Sequence, residues 1–304
     1  MGNTISKNGV TYFAPELVAE MFSLVGGHSA IAKLSNQSPI PFAGNEIMTF
    51  SMDHEVSIVG ENLPKVNGGG TIGAKNIVPV KFEYGLRVSD EFLYASEERQ
   101  LNFLQTFMDG FAKKLARGID IAAFHGFNPY SGTASTVVGD NHFDHDITAA
   151  NTVTFAAATA DDNLDAAIAK VTEAEKEVNG IALAPAFAQA MGQIKAQGVA
   201  LYPEFRFGGS PATFGGMGCD VNSTVSYNSN ADRAIVGDFQ NAFKWGYAKD
   251  IPLKVIEYGC PDNDTTAGDL QGHNQVYLRS EAYVGWGILD PAAFAKVAVA
   301  ANNG

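Results

Sequence analysis

Two stretches of the chain alternate apolar and polar residues with a period of two. Over residues 47–58, Met48, Phe50, Met52, Val56 and Ile58 interleave with Thr49, Ser51, Asp53, Glu55 and Ser57. Over residues 77–88, Val78, Val80, Phe82, Tyr84, Leu86 and Val88 interleave with Lys81, Glu83, Gly85 and Arg87. This spacing predicts two strands, each with one apolar and one polar face. Between them, Gly60 to Gly70 is rich in Gly, Asn and Pro, the residues of turns rather than of a core. The pattern therefore predicts a long two-stranded arm. A lone two-stranded ribbon is marginal in water, so its apolar face needs a surface, from this chain or from another copy of it.

The remaining pattern predicts mixed structure. Leu17, Val18, Met21 and Phe22 suggest a short helix over about 15–24. Leu101, Leu104, Met108, Phe111, Leu115, Ile119 and Ala122 recur at i+3 and i+4, which predicts a long amphipathic helix over 98–125 that ends at Gly126. A second helix is expected over about 161–178, opened by Asp161 and Asp162 and closed by Gly180; a third opens at Pro185 and closes at Gly198. Strands are expected at 181–184, 234–239, 253–258, 276–288 and 294–299. The order predicts an α+β fold with two subdomains and projecting pieces.

Composition narrows the function. The 304 residues include 33 acidic and 20 basic side chains, a formal charge of −13, which argues against a nucleic-acid binder. Cys219 and Cys260 are too few for a disulfide framework or a cysteine-rich zinc site, and suit a reducing compartment. The start, Met1 to Lys7, lacks the apolar segment of a signal peptide. The longest uncharged run, Val178 to Ile194, is interrupted by Gly180, Pro185 and Gly192, so no membrane span is expected.

Candidate chemistry is sparse. His142 and His145 in Gly139-Asp140-Asn141-His142-Phe143-Asp144-His145-Asp146 could ligate zinc or a similar ion, but the segment reads better as a polar surface loop. Asp262, Asp264 and Asp269 miss the calcium-loop spacing, and the glycine-rich segments lack the Gly-Lys-Ser/Thr of a phosphate loop. No Ser-His-Asp or HExxH pattern stands out. Trp245 and Trp286 read as core or interface anchors. No enzyme and no cofactor are expected.

Taken in order, these pieces resemble the major capsid proteins of tailed bacteriophages, with the Hong Kong 97-type fold. Residues 1–45 resemble the N-arm, and 46–88 the E-loop, with its tip at Glu61 to Lys65 and its return at Tyr84-Gly85-Leu86-Arg87-Val88-Ser89. Residues 89–160 resemble the first part of the P-domain, with the spine helix at 98–125 and its Ile119-Asp120-x-Ala122-x-x-x-Gly126 ending. Residues 161–265 are similar to the A-domain, through Gly180-Ile181-Ala182-Leu183-Ala184-Pro185, Leu201-Tyr202-Pro203 and Gly237-Asp238-Phe239. Residues 266–304 resemble the closing strands of the P-domain. The likeness rests on order and spacing across nearly the whole chain.

The resemblance implies a homo-oligomer: hexamers and pentamers of an icosahedral head enclosing double-stranded DNA, assembled in the host cytoplasm and located in the virion. It implies that the E-loop lies over the neighbouring subunit. Function would then lie in contacts made by the E-loop, the N-arm and the rim of the 161–265 domain. The contact residues expected are Met48, Phe50, Met52, Leu63, Lys65, Val80, Lys81, Phe82 and Arg87. A portal protein and a decoration protein are implied partners. Because Met1 stands almost at the N-arm, a separate scaffolding protein is expected, the alternative being a trimmed chain. In some relatives an E-loop lysine forms an isopeptide bond with an asparagine, helped by a glutamate, and the corresponding positions here are Lys65, Asn274 and Glu281. Two alternatives stay open: an encapsulin-type compartment with the same fold, and a soluble α+β enzyme or ligand-binding protein with a polar pocket.

Overall fold

The computed structural model describes residues 10–11, 25, 28–52, 54–65, 67–91, 97–249, 253–264 and 266–300. The helix expected over 15–24 lies outside them. Among the described residues the strands form a five-stranded sheet, a six-stranded sheet and three two-stranded ribbons.

The five-stranded sheet is organised by the long strand Gln275–Ile288. It pairs antiparallel with Val80–Ser89, Leu253–Ile256 and Phe243–Lys249, and Val10–Thr11 adds to the edge at Leu253 and Lys254. The long helix expected over 98–125 runs Glu97–His125. Its apolar stripe, with Met108, Phe111, Leu115 and Ile119 buried, shares one core with Leu278, Ala282, Val284 and Trp286 of the sheet. Val80, Phe82, Leu86 and Val88 pack against that core from the paired strand.

The six-stranded sheet runs in the order 213–214, 217–221, 180–183, 232–237, 294–298, 152–154, with parallel and antiparallel pairs. Gly180–Leu183 is buried at every position, as expected of a strand covered on both faces. Ile181 and Leu183 face a second core with helices Ala160–Glu173 and Pro185–Gln193, while Ala182 faces the first. Alternation in one strand thus joins the two cores. The two helices stop short of the expected ends because the chain turns at Glu175, which has φ 58°, and at Ile194.

The arm departs from the expected pairing. Asn45–Met52 pairs antiparallel not with 77–88 but with Gly70–Ile77, from Asn45 opposite Ile77 to Met52 opposite Gly70. Pro79 explains the split: it offers no backbone N–H to a ladder, so the second alternating run stops being one strand there. Val80–Ser89 then belongs to the five-stranded sheet, opposite residues 275–284. The root of the arm is fixed by Ile77, which is buried against Gly285 and Gly287. A Cβ at Gly287 would come within 2.8 Å of the Ile77 side chain.

The short helix Ala30–Leu34 docks onto the long helix through Asp120. This buried carboxylate accepts from Ser29 Oγ (2.5 Å), the Ala30 and Ile31 backbone N–H groups (2.9 and 3.3 Å) and Thr224 Oγ1 (3.0 Å). Burial pushes its pKa up to about 6, although these donors favour the charged form. No helix among the described residues is long and apolar enough to cross a membrane.

Candidate assembly surface

In the arm, residues directly opposite each other share a face. Met48 with Ala74, Phe50 with Ile72 and Met52 with Gly70 therefore make one apolar face. It lies open: Met48 is 71% exposed, Phe50 63% and Met52 74%. Past the paired strands, Val56, Ile58 and Leu63 continue the exposed apolar surface, Ile58 completely so. Single exposed hydrophobes are ordinary, but a contiguous run of this kind marks a surface made for contact.

Four of the expected contact residues lie elsewhere. Val80 and Phe82 stand on the sheet strand and pack on the chain's own core, Phe82 with its ring centroid 6.2 Å from that of Trp286. Lys81 pairs with Glu83 at 2.7 Å and Glu281 at 2.9 Å. Arg87 grips Asp262 with two hydrogen bonds, Nε at 2.7 Å and Nη2 at 2.6 Å, and donates further to the Ala267 and Gly268 carbonyls. That pair raises the Arg87 pKa and holds Asp262 well below the usual carboxylate range. The reason is the strand pairing described above: beyond Pro79 the chain has left the arm.

Lys65 sits exposed in the loop that closes the arm. Asn274, in a left-handed conformation at φ 52°, precedes the long strand, and Glu281 lies seven residues along it. Seven strand residues span about 23 Å, so Asn274 and Glu281 do not meet within one chain. Glu281 is buried among Lys81 (2.9 Å), Arg279 (3.1 Å) and Lys254 (3.9 Å). Burial alone would raise its pKa; the hydrogen bond and charge of Lys81, with Arg279 and Lys254 behind it, bring it below the ordinary value. A carboxylate held ionised this way is a poor acceptor for a lysine proton.

His142 and His145 have ring centroids 6.0 Å apart, and His142 caps the short helix Phe143–Asp146 by accepting from the His145 backbone N–H. Among the described residues, the cluster with metal-ligand spacing is instead His125, Asp144 and Asp232. Here a cation is already supplied by the chain. Lys296 Nζ lies 2.8 Å from Asp144 Oδ1 and 3.2 Å from Asp232 Oδ1. Both ring nitrogens of buried His125 face acceptors: Nδ1 is 2.8 Å from Asp144 Oδ2, and Nε2 is 2.9 Å from the Thr224 carbonyl. Asn230 Nδ2 donates to the same Asp144 oxygen at 2.8 Å. Two acidic side chains, an ammonium and an imidazole thus meet in one buried group. Burial opposes the His125 charge, but Asp144 outweighs it and raises the pKa; Asp232 is raised by burial and by Asp144 beside it. Sequence reading missed this group because residues 125, 144, 232 and 296 carry no shared local motif.

The phage capsid family model matches residues 10–299. No curated protein matches the chain. Among solved structures, one from Mycobacterium phage Ogopogo is 34% identical, covers 90% of this chain and 92% of its own, and superposes with a TM-score of 0.76. One from Gordonia phage Cozz is 30% identical, with 90% and 87% covered and a TM-score of 0.73. The capsid of an empty GTA particle computed with C5 symmetry is 18% identical over 90% of each chain, with a TM-score of 0.65, and bears on the fold.

Proposed function

The chain belongs to the phage capsid family as a major capsid protein, and from that premise we propose that it builds the hexamers and pentamers of an icosahedral head around double-stranded DNA. The arm is the device of assembly. Its face of Met48, Phe50, Met52 and Ile72 has no cover among the described residues, and the next copy supplies one. That open face is the observation that carries the reading. The net charge of −13 supports it, since a wall that does not bind phosphate lets a genome pack and leave. A separate scaffolding protein, a portal and a decoration protein are proposed partners, and the host cytoplasm the place of assembly. The isopeptide set Lys65, Asn274 and Glu281 would have to combine residues of different copies.

Electron microscopy of the protein co-expressed with the scaffolding protein tests the reading. Closed shells are expected. A product that stays monomeric across the accessible concentration range would overturn it.

A further inference from the structure

The arm meets the body through two chain crossings. Its ribbon, Asn45–Met52 with Gly70–Ile77, forms a sheet of its own, and no backbone ladder joins it to either larger sheet among the described residues. One crossing is Gly44, at φ 90°; the other is the Val78-Pro79 step, where Pro79 lacks the donor a ladder needs. Backbone bonding thus leaves the tilt of the arm open, and side chains must set it.

The inner face of the ribbon supplies them. Ile47, Lys75 and Ile77 alternate with the exposed Met48, Ala74 and Asn76, and turn toward the body. Ile77 is buried against Gly285 and Gly287, an apolar contact without directional preference. Lys75 adds direction. Its stem passes Gly287, where a Cβ would lie 3.9 Å from Lys75 Cγ, and its Nζ reaches Asp146 Oδ2 at 3.2 Å. Asp146 is itself fixed. It ends the short helix Phe143–Asp146, its backbone N–H donates to the His142 carbonyl at 3.1 Å, and its Oδ1 lies 3.1 Å from His145 Nδ1. Phe143 roots that helix in the core, with its ring centroid 4.9 Å from that of Phe294 and 5.4 Å from that of Phe243. The Asp146 side chain is 9% exposed, so water screens this pair less than one between two exposed groups.

A small change at the base is amplified at the far end. From Lys75 to Gly70 the strand runs about 17 Å, so a tilt of about 10° at Lys75 moves that end by about 3 Å. Close-packed contacts register far smaller shifts. Resting on the capsid reading, we propose that Asp146 is the positioning residue of the arm: through Lys75 it sets the angle at which Met48, Phe50 and Met52 are presented to the next copy.

Spin labels on Ala74→Cys and Lys113→Cys, both exposed positions, report the arm's angle in the unassembled subunit, in a Cys260→Ser background with Cys219 buried. One narrow distance distribution is expected. Lys75→Met keeps the stem over Gly287 and removes the charge. It should shift or broaden that distribution and lower shell yield at least fivefold. Its unfolding temperature should stay close to that of wild type, because a partly exposed pair adds little to stability. Asp146→Asn should have the same two effects from the body side, and Lys75→Arg should keep the wild-type distance and yield. Wild-type distances in Lys75→Met overturn the proposal. So does a changed distance with wild-type yield, or Lys75→Arg behaving like Lys75→Met. If Lys75→Met unfolds early, Asp146→Asn decides by the same criteria. Failure of the unsubstituted protein to form shells overturns the capsid reading, while the distances still decide whether Asp146 holds the arm.

Discussion

Phe50 and Phe82 stand in runs of the same alternating pattern, and their fates are opposite. Phe82 packs on the core beside Trp286, in a strand bonded along its whole length to residues 275–284. Phe50 points from a two-stranded ribbon into open surroundings, 63% exposed. Period-two alternation therefore marks a strand and its faces, and says nothing about what the apolar face will meet. One run is completed by the chain itself; the apolar face of the other stays open among the described residues. The boundary between the two regimes is the Val78-Pro79 step.

The sharpest way to break that contrast is to truncate both rings. Phe82→Ala should lower the unfolding free energy by about 3 kcal/mol, read from denaturant midpoints, because a large side chain is lost from a packed site. Phe50→Ala should change the same midpoint by less than about 0.5 kcal/mol, yet shell yield should fall roughly tenfold, since about 1.4 kcal/mol of lost contact is a factor of ten in association. Equal effects of the two substitutions on monomer stability would dissolve the distinction.

A second contrast is electrostatic. The body of the protein holds the buried group of His125, Asp144, Asp232 and Lys296, which joins the end of the long helix to the six-stranded sheet. The pKa of His125 is raised in the folded state, so its contribution is complete below the unfolded value of about 6.5 and is lost as pH rises through the folded value. Asp232, raised to about 7, acts in the same direction, but its contribution is lost earlier, between about pH 4 and about 7. Stability should therefore fall as pH climbs above about 6.5, and His125→Gln should flatten that part of the profile. Phe50→Ala should leave it unchanged. A wild-type profile that rises over this window would contradict the protonated His125.

Much of this architecture is legible in the sequence, for identifiable reasons. The long helix is visible because Leu104, Met108, Phe111, Leu115 and Ile119 repeat a helical period, and Gly126 at φ 68° ends it. The second strand of the arm is invisible: Gly70-Thr71-Ile72-Gly73-Ala74-Lys75-Asn76-Ile77 has too few apolar positions to alternate, and only its ladder with residues 45–52 makes it a strand. Arg87 looks like a free charge in sequence because its partner Asp262 lies far along the chain, and the buried partner that Lys81 gains beyond its neighbour Glu83, Glu281, lies equally far. The His125 group depends on folding in the same way. Local pattern reports local geometry; pairings between distant residues come only from the assembled fold.

The smallest expected effect is at Lys65, on the arm side of the comparison. An isopeptide bond requires the lysine to lose its proton to a neighbouring carboxylate before it attacks an amide. The carboxylate proposed for that step, Glu281, belongs to the sheet side, where Lys81, Arg279 and Lys254 already hold it ionised. A strand that satisfies its own charges has little left to offer a visiting arm. Mature shells run on a denaturing gel should therefore give one band near 32.2 kDa, and Lys65→Ala should leave that band unchanged. A ladder of multimers that Lys65→Ala removes would show that assembly rearranges Glu281, and that the arm and the sheet exchange partners after all.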